Sequence, residues 1–125
     1  MVSTDSEGFP RRSRVLSPKE FRLIYDEGLR TQTRWFVLFS RSNGLGYHRI
    51  GITVSRKVGR SVVRNRIKRI FREIFRRFSA DIPGHFDLVV NAKQDCATAR
   101  YAALRDDFLS AARKICRENH WPAAR

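Results

Sequence analysis

The chain has 125 residues, a length typical of one domain, and 42% of them are hydrophobic, enough for a compact core. Twenty-six Lys and Arg against twelve Asp and Glu residues give a formal net charge of +14, and 21 of the basic residues are Arg. Because Arg grips phosphate bidentately and stacks on rings, this bias favours a nucleic-acid partner. No apolar run approaches the roughly 18 residues of a membrane span, and the N-terminus lacks the apolar segment of a secretion signal. We therefore expect a cytoplasmic protein that does not enter a membrane.

The first predicted helix begins at a capping box. Ser17 can cap it, Pro18 fits the first helical position, and Glu20 completes the box. Gly28 then offers a left-handed stop. Residues 1–14, which are mostly polar, are predicted to form a flexible leader.

Two predicted strands follow, over 31–41 and 48–55, separated by a turn at Asn43-Gly44. The short loop between them favours an antiparallel pair. Alternation along the first strand places two sets of side chains on opposite faces: Thr33, Trp35, Val37 and Phe39 on one, and Arg34, Phe36 and Leu38 on the other.

A helix over 60–78, a strand over 85–93 and a helix over 98–118 complete the domain, and 119–125 form a tail. The order is thus α-β-β-α-β-α, and another short strand is left open. This order predicts an α+β domain over 15–118, with helices packed on a small sheet.

The helix over 60–78 lies in a strongly basic segment. Residues 58–78 read VGRSVVRNRIKRIFREIFRRF, with eight Arg or Lys and a single acid, Glu73. At about 100° per residue, the apolar side chains share one side: Val63, Ile67, Ile70, Phe71, Ile74, Phe75 and Phe78. The opposite side holds Asn65, Arg66, Arg69, Arg72 and Arg76, with Arg64 and Lys68 at one border. Like charges four residues apart destabilise a helix, so a polyanionic partner explains this side better than solvent does.

The chain shows no pattern of catalytic or metal-binding residues. The twelve acids are scattered, and the adjacent Asp106 and Asp107 point about 100° apart on a helix. Cys96 and Cys116 lack metal-like spacing, so buried thiols are expected, with a disulfide as the alternative. The histidines form no spaced pair and are expected at the surface or at strand ends: His48, His85 and His120.

The basic segment also resembles a known signature. The string RNRIKR at 64–69, preceded by SRKVG at 55–59 and followed by Arg72-Glu73, resembles that of the bacterial ribonuclease P protein subunit. Further matching stretches occur in the order that family shows: FRLIYDEG (21–28), WFVLF (35–39), GITVSRKVG (51–59) and DLVVNAK (87–93). The resemblance covers roughly 15–118.

The resemblance implies the protein subunit of a ribonucleoprotein endonuclease that removes the 5′ leader from precursor tRNA. In that family a large RNA is the catalyst and holds the active-site Mg²⁺, while the protein binds this RNA and the leader and aids substrate and magnesium binding. No catalytic residue, metal, cofactor or protein oligomer is then required of this chain. The implied fold is a two-layer α/β sandwich of the ribosomal-protein type. It has a mixed sheet of about four strands, three helices and a left-handed βαβ crossover, contrary to the usual hand.

The resemblance and the strand pattern together predict two sets of binding residues. The catalytic-RNA-binding set comprises Arg56, Lys57, Arg60, Arg64, Asn65, Arg66, Lys68, Arg69 and Arg72. The leader-binding set comprises Phe21, Tyr25, Trp35, Val37 and Phe39. Aromatic side chains beside basic groups commonly hold single-stranded RNA, although packing between helix and sheet is the alternative for the aromatic residues.

Two other functions stay open from the residues alone. One is a ribosomal-type RNA-binding protein or RNA chaperone without a dedicated catalytic RNA. The other is a nuclease that needs no RNA subunit, which the scattered carboxylates disfavour.

Overall fold

The computed structural model describes residues 13, 14 and 17–118, with side chains up to residue 115. The helices and strands are α1 (Pro18–Glu27), β1 (Leu29–Gln32), β2 (Phe36–Ser42), β3 (Arg49–Thr53), α2 (Ser61–Phe78), β4 (Phe86–Ala92) and α3 (Tyr101–Glu118). All three predicted helices are present, and one-turn 3₁₀ helices follow α2 and β4. The predicted leader and tail lie outside the described residues, apart from residues 13 and 14.

Four strands form one mixed sheet in the order β1-β2-β4-β3. β2 pairs antiparallel with both β1 and β4, whereas β3 lies parallel to β4. The predicted antiparallel pair of the strands at 31–41 and 48–55 is therefore wrong, because β4 lies between them. The first five residues of β4 are all buried, and a strand this apolar is stabilised at the centre of a sheet. β3, α2 and β4 form a βαβ crossover between parallel neighbouring strands. The left-handedness of this crossover stays a prediction.

The predicted strand over 31–41 is interrupted by a short turn. The Thr33 hydroxyl accepts hydrogen bonds from the backbone N–H groups of Trp35 at 3.2 Å and Phe36 at 3.1 Å. Because Trp35 precedes β2, strand alternation does not extend to it, and its ring packs against the core formed with α2 and α3. The prediction that Trp35 shares a face with Val37 and Phe39 is therefore wrong.

Helices α2 and α3 cover one face of the sheet and bury the main core. The Phe71 ring of α2 meets Phe36 of β2 edge-on, with 5.1 Å between ring centroids. The fully buried large side chains of this core include Phe36, Leu38, Ile50, Ile67, Phe71, Ile74, Leu88, Leu104, Phe108 and Ile115. Each contributes about 1.5–3 kcal/mol by leaving water, which fixes α2 on the sheet.

Helix α1 packs on the opposite face of the sheet. Ile24 of α1 and Val89 of β4 form a small second core there. The capping box is confirmed, since Glu20 N donates to Ser17 Oγ at 3.1 Å and Ser17 N donates to Glu20 Oε1 at 3.2 Å. The helix therefore begins at Pro18, as the sequence predicts.

The end of α1 depends on Gly28 for a reason other than the predicted one. Gly28 is extended, with φ −81°, so the predicted left-handed stop is wrong. A Cβ atom there would lie 2.5 Å from the carbonyl oxygens of both Ile24 and Ser40. Glycine is needed because α1 closes onto β2 at this point.

An ionic network ties α1 to the sheet. Arg49 of β3 binds Asp87 of β4 bidentately, Nε to Oδ1 at 2.8 Å and Nη2 to Oδ2 at 2.7 Å. Its Nη1 also donates to Glu20 Oε2 at 3.0 Å, and the two carboxylates raise the pKa of Arg49 above its ordinary value, Asp87 contributing most. Asn43 Nδ2 donates to Asp87 Oδ1 at 2.8 Å. The network, defined as Arg49, Asp87, Glu20 and Asn43, therefore joins the start of α1, two strands and the loop after β2.

His48 is buried and lies at a strand end, one of the two settings predicted for the histidines. It directly precedes β3, where Nδ1 accepts from the Phe86 backbone N–H at 3.0 Å and Nε2 bonds to the Ile82 carbonyl at 2.9 Å. The ring thus hydrogen-bonds to two backbone groups where the chain enters β4. Burial lowers the pKa of His48 below its ordinary value of 6.5, which keeps the ring neutral.

We expect His48 to make stability depend on pH. Because the folded-state pKa is lowered, the unfolded chain binds more protons just below pH 6.5. The contribution of neutral His48 is complete above that value and is lost as the pH falls through the window between the two pKa values. The free energy of unfolding in urea should therefore decrease from about pH 7.5 to about pH 5.5, and this decrease should be smaller in His48→Gln. The exposed His85, whose charge adds a smaller lowering to the pKa of His48, supplies the comparison: His85→Gln should retain most of the dependence, because burial is the main cause. An equal slope in His48→Gln and the parent chain would disprove this role.

Candidate RNA-binding surfaces

Helix α2 separates apolar from charged side chains as predicted. Ile67, Phe71 and Ile74 are fully buried. On the opposite side Asn65, Arg66, Arg69 and Arg76 are exposed, while Arg64, Lys68 and Arg72 are half-buried at its margins. The predicted basic side of α2 therefore faces solvent.

Most of this charge is not neutralised by acids. Glu73 binds Arg76 at 2.6 Å and also contacts Arg77, and these two partners lower the pKa of Glu73 to about 2. Both contacts lie at the C-terminal end of α2. Within the described part of the chain, Arg60, Lys68 and Arg69 have no ion-pair partner. The first two-thirds of the helix therefore presents cations that an external anion could bind.

The loop before α2 extends the same basic surface. Arg56, Lys57 and Arg60 are exposed, whereas Val58 between them is buried and anchors the loop. The loop is also tied down by the amide of Gln94, which donates to the Lys57 carbonyl at 3.2 Å. We call this loop together with the charged side of α2 the basic surface: Arg56, Lys57, Arg60, Arg64, Asn65, Arg66, Lys68, Arg69 and Arg72.

The start of α2 adds a further attraction for anions. No acid lies in its first turn, and no side chain caps it at Arg60. The N-terminal N–H groups of a helix carry a partial positive charge that favours phosphate. Arg64 Nε donates to the Gly59 carbonyl at 3.1 Å, and Arg66 Nη2 donates to the Ala97 carbonyl at 2.5 Å. These bonds hold two of the guanidinium groups in place without neutralising them.

Three of the predicted leader-binding aromatic residues lie together on the face that carries α1. The Tyr25 ring meets Phe39 edge-on with 4.9 Å between centroids, and Phe21 lies 6.3 Å from Tyr25. All three are half-buried. We call Phe21, Tyr25 and Phe39 the aromatic cluster. It borders an open groove of about 440 Å³ along α1, lined by Pro18, Phe21, Arg22, Tyr25 and Asp26.

The two other predicted leader residues lie elsewhere or are less accessible. Val37 is only 9% exposed; its position two residues from Phe39 in β2 puts it on the same face. Trp35 packs on the other face, as described above, with the Arg34 guanidinium 4.3 Å from its ring centroid. Trp35 is therefore not part of the aromatic cluster.

Sequence reasoning missed the polar side chains of this face. Strand pairing aligns Arg30 with Phe39, and Gln32 with Val37. Val37 in turn aligns with Asn91, and Asn91 with Thr53. Paired residues of neighbouring strands project to the same face, so these polar groups lie beside the aromatic residues. Alternation within each strand indicated which face of the sheet each side chain occupies. The order of the strands was needed to show that these side chains are neighbours.

No group of three or more His, Cys, Asp or Glu residues that could hold a metal ion occurs within the described residues. Over the same residues, no helix is long and apolar enough to cross a membrane. Cys96 is a buried free thiol whose pKa burial raises to about 11, while the side chain of Cys116 lies outside the described part.

Comparison with known proteins gives a consistent result. The ribonuclease P family model matches residues 9–116. The ribonuclease P protein component of Thermotoga maritima is 48% identical over 85 residues, covering 68% of this chain and 73% of that protein. The ribonuclease P protein component of an Escherichia coli O157:H7 strain is 39% identical over 110 residues, covering 87% of this chain and 92% of that protein. The solved RNase P protein from Thermotoga maritima has a TM-score of 0.76 at 37% identity, covering 82% of this chain and 96% of that one.

These matches span most of the chain, and the matched fold has the same mixed four-stranded sheet and three helices. The chain therefore belongs to the family of bacterial ribonuclease P protein components, the protein subunits of the ribonucleoprotein endonuclease that processes the 5′ end of precursor tRNA.

Proposed function

We propose that the basic surface binds the catalytic ribonuclease P RNA and that the aromatic cluster, with Val37 on the same face of the sheet, binds the 5′ leader of precursor tRNA. One observation supports RNA binding most directly: the charged side of α2 presents basic side chains to solvent with almost no acid among them. The only acid of α2, Glu73, binds arginines at the C-terminal end of the helix. The RNA-binding domain spans 15–118 and acts in the cytoplasm, without a membrane or protein oligomer.

The basic surface supports RNA binding through simple electrostatics. Folded RNA concentrates phosphate charge, and fixed cations bind it with release of counterions. Guanidinium groups held by Gly59 and Ala97 lose little side-chain entropy on binding phosphate. Cations placed between the catalytic RNA and its substrate also reduce their mutual repulsion. In this proposal Mg²⁺ is held by the RNA, and the protein aids magnesium and substrate binding by lowering that repulsion.

The aromatic cluster supports leader binding because it offers rings on a half-open face. A leader is single-stranded, so its bases can leave their stack and lie on protein rings. Arg30 aligns with Phe39 on the same face, which supplies a cation for the leader backbone. The leader surface and the basic surface use different sides of the sheet, so each can be altered separately.

Reconstitution tests the proposed function as a whole. Mixed with a bacterial ribonuclease P RNA at a magnesium concentration that limits the RNA alone, the chain should increase the rate of leader removal from precursor tRNA. The cause would be added cations that replace part of the magnesium requirement. No stimulation at any protein concentration would count against the proposal, and cleavage by the RNA-free protein would indicate a protein-only nuclease.

Replacing one arginine tests the basic surface. Arg69→Ala should weaken binding of the catalytic RNA and reduce the slope of log affinity against log salt by about one unit, because one phosphate contact is lost. Filter binding across a salt series measures this. The matched control is Arg113→Ala, an exposed arginine on α3 outside the basic surface, which should leave the slope unchanged. Equal slopes in Arg69→Ala and the parent chain would exclude Arg69 from the RNA contact.

Replacing one ring tests the aromatic cluster. In the reconstituted enzyme, Phe39→Ala should weaken binding of leader-bearing precursor tRNA by roughly 1–3 kcal/mol, because a base loses its stacking partner. Binding of mature tRNA should be unaffected. Leu29→Ala, an exposed apolar residue of β1 whose partner is Ser40 rather than Phe39, is the control. Equal losses for precursor and mature tRNA would reject leader binding at Phe39.

A further inference from the structure

A row of side chains crosses the α1-facing side of the sheet beside the aromatic cluster. It contains Gln32, Val37, Asn91 and Thr53, one from each strand, aligned by strand pairing. Asn91 lies at its centre, on the inner strand β4. Two residues before it, Val89 lies under α1 and packs with Ile24. On this face of β4, Asn91 is therefore the polar residue that follows the apolar contact between Val89 and α1.

Tyr25 fixes the orientation of the Asn91 side chain. The Tyr25 hydroxyl donates to Asn91 Oδ1 at 2.9 Å and lies 3.4 Å from Thr53 Oγ1. Because the amide oxygen is bound to Tyr25, the amide nitrogen is directed away from that hydroxyl. The Nδ2 atom has no hydrogen-bond partner among the described residues. An amide nitrogen carries two hydrogens, each of which favours an acceptor.

The same tyrosine connects this amide to the aromatic cluster. Its ring contacts Phe39 edge-on at 4.9 Å, while its hydroxyl holds Asn91. A ring surface and an oriented donor therefore lie next to each other. Such a pair can bind a nucleobase through both its face and its edge, since base edges carry carbonyl oxygens and ring nitrogens as acceptors.

We propose that Asn91 donates a hydrogen bond from Nδ2 to an acceptor on the edge of a leader base that stacks on the aromatic cluster. Tyr25 is then both a stacking residue and the positioning residue of the Asn91 amide. This inference rests on the proposed leader site and adds to it a contact that depends on the base. Stacking alone is tolerant of sequence, whereas a donor aimed at the base edge distinguishes bases that present an acceptor there.

The test uses two substitutions that preserve shape. Asn91→Leu keeps the size of the side chain and removes the donor, and Tyr25→Phe keeps the ring and removes the hydroxyl that orients the amide. In the reconstituted enzyme, Asn91→Leu should weaken binding of precursor tRNA about three- to tenfold, the usual range for one hydrogen bond. Tyr25→Phe should weaken it by a smaller factor. Neither should change binding of mature tRNA.

The double variant separates positioning from direct contact. If the Tyr25 hydroxyl acts only through Asn91, Tyr25→Phe combined with Asn91→Leu should bind precursor tRNA as Asn91→Leu does. Tyr101→Phe, which removes a hydroxyl on α3, is the matched control and should bind as the parent chain does. Thermal unfolding of each variant reports whether the sheet is intact. Should Asn91→Leu not fold, Tyr25→Phe decides the matter, because its ring and the strand are unaltered.

Two results would overturn the inference. One is unchanged discrimination between precursor and mature tRNA in Tyr25→Phe and in Asn91→Leu. The other is the same loss for leaders of every base composition, which would indicate a contact that does not read bases. Phe39→Ala separates failure of the leader site from failure of the Asn91 contact. If Phe39→Ala loses leader binding while the Asn91 and Tyr25 variants do not, the leader site is retained and the Asn91 contact is rejected. If Phe39→Ala also has no effect, the leader site itself is wrong.

Discussion

The bidentate pair between Arg49 and Asp87 is the contact on which the α1-bearing face of the sheet depends. Asp87 is 4% exposed, and a carboxylate in that position is stable only while its partner stays. Arg49 also binds Glu20, whose other oxygen belongs to the capping box at Ser17. One guanidinium therefore fixes where α1 begins relative to β3 and β4. Because α1 carries two members of the aromatic cluster, the position of those rings follows from an ion pair at the start of the helix.

The unusual charge of α2 is possible because burial of its apolar side outweighs the repulsion. Three of its side chains are fully buried: Ile67, Phe71 and Ile74. At about 1.5–3 kcal/mol each, they exceed the few tenths of a kcal/mol that a like-charge pair costs. Burial of this side is therefore sufficient to hold the helix against the sheet despite its charge. In the proposed complex, the phosphate charge of the RNA would offset the remaining repulsion along the basic surface.

The sequence predicted the elements that depend on local pattern and missed those that depend on distant strands. The capping box at Ser17 and the two sides of α2 follow from residues within a few positions, and both are confirmed. The position of β4 between β2 and β3 was missed, because it depends on pairing with strands that are distant in the sequence. The burial of His48 and the polar row through Asn91 both follow from that strand order. The role of Gly28 was missed for a related reason, since only the close approach of Ser40 reveals it.

Strand β4 connects the two proposed binding surfaces. Its alternate residues Leu88 and Val90 project into the core beneath α2 and α3. Asp87, Val89 and Asn91 project to the other face, where they contact Arg49, Ile24 and Tyr25 in turn. A slip of one residue in the register of β4 would exchange these two sets, so the buried core that holds α2 also fixes the face that carries α1. The spacing between the basic surface and the aromatic cluster is thus set by a single buried strand. Substitutions on the exposed side of α2 therefore leave the aromatic cluster in place, whereas changes within β4 alter its distance from the basic surface.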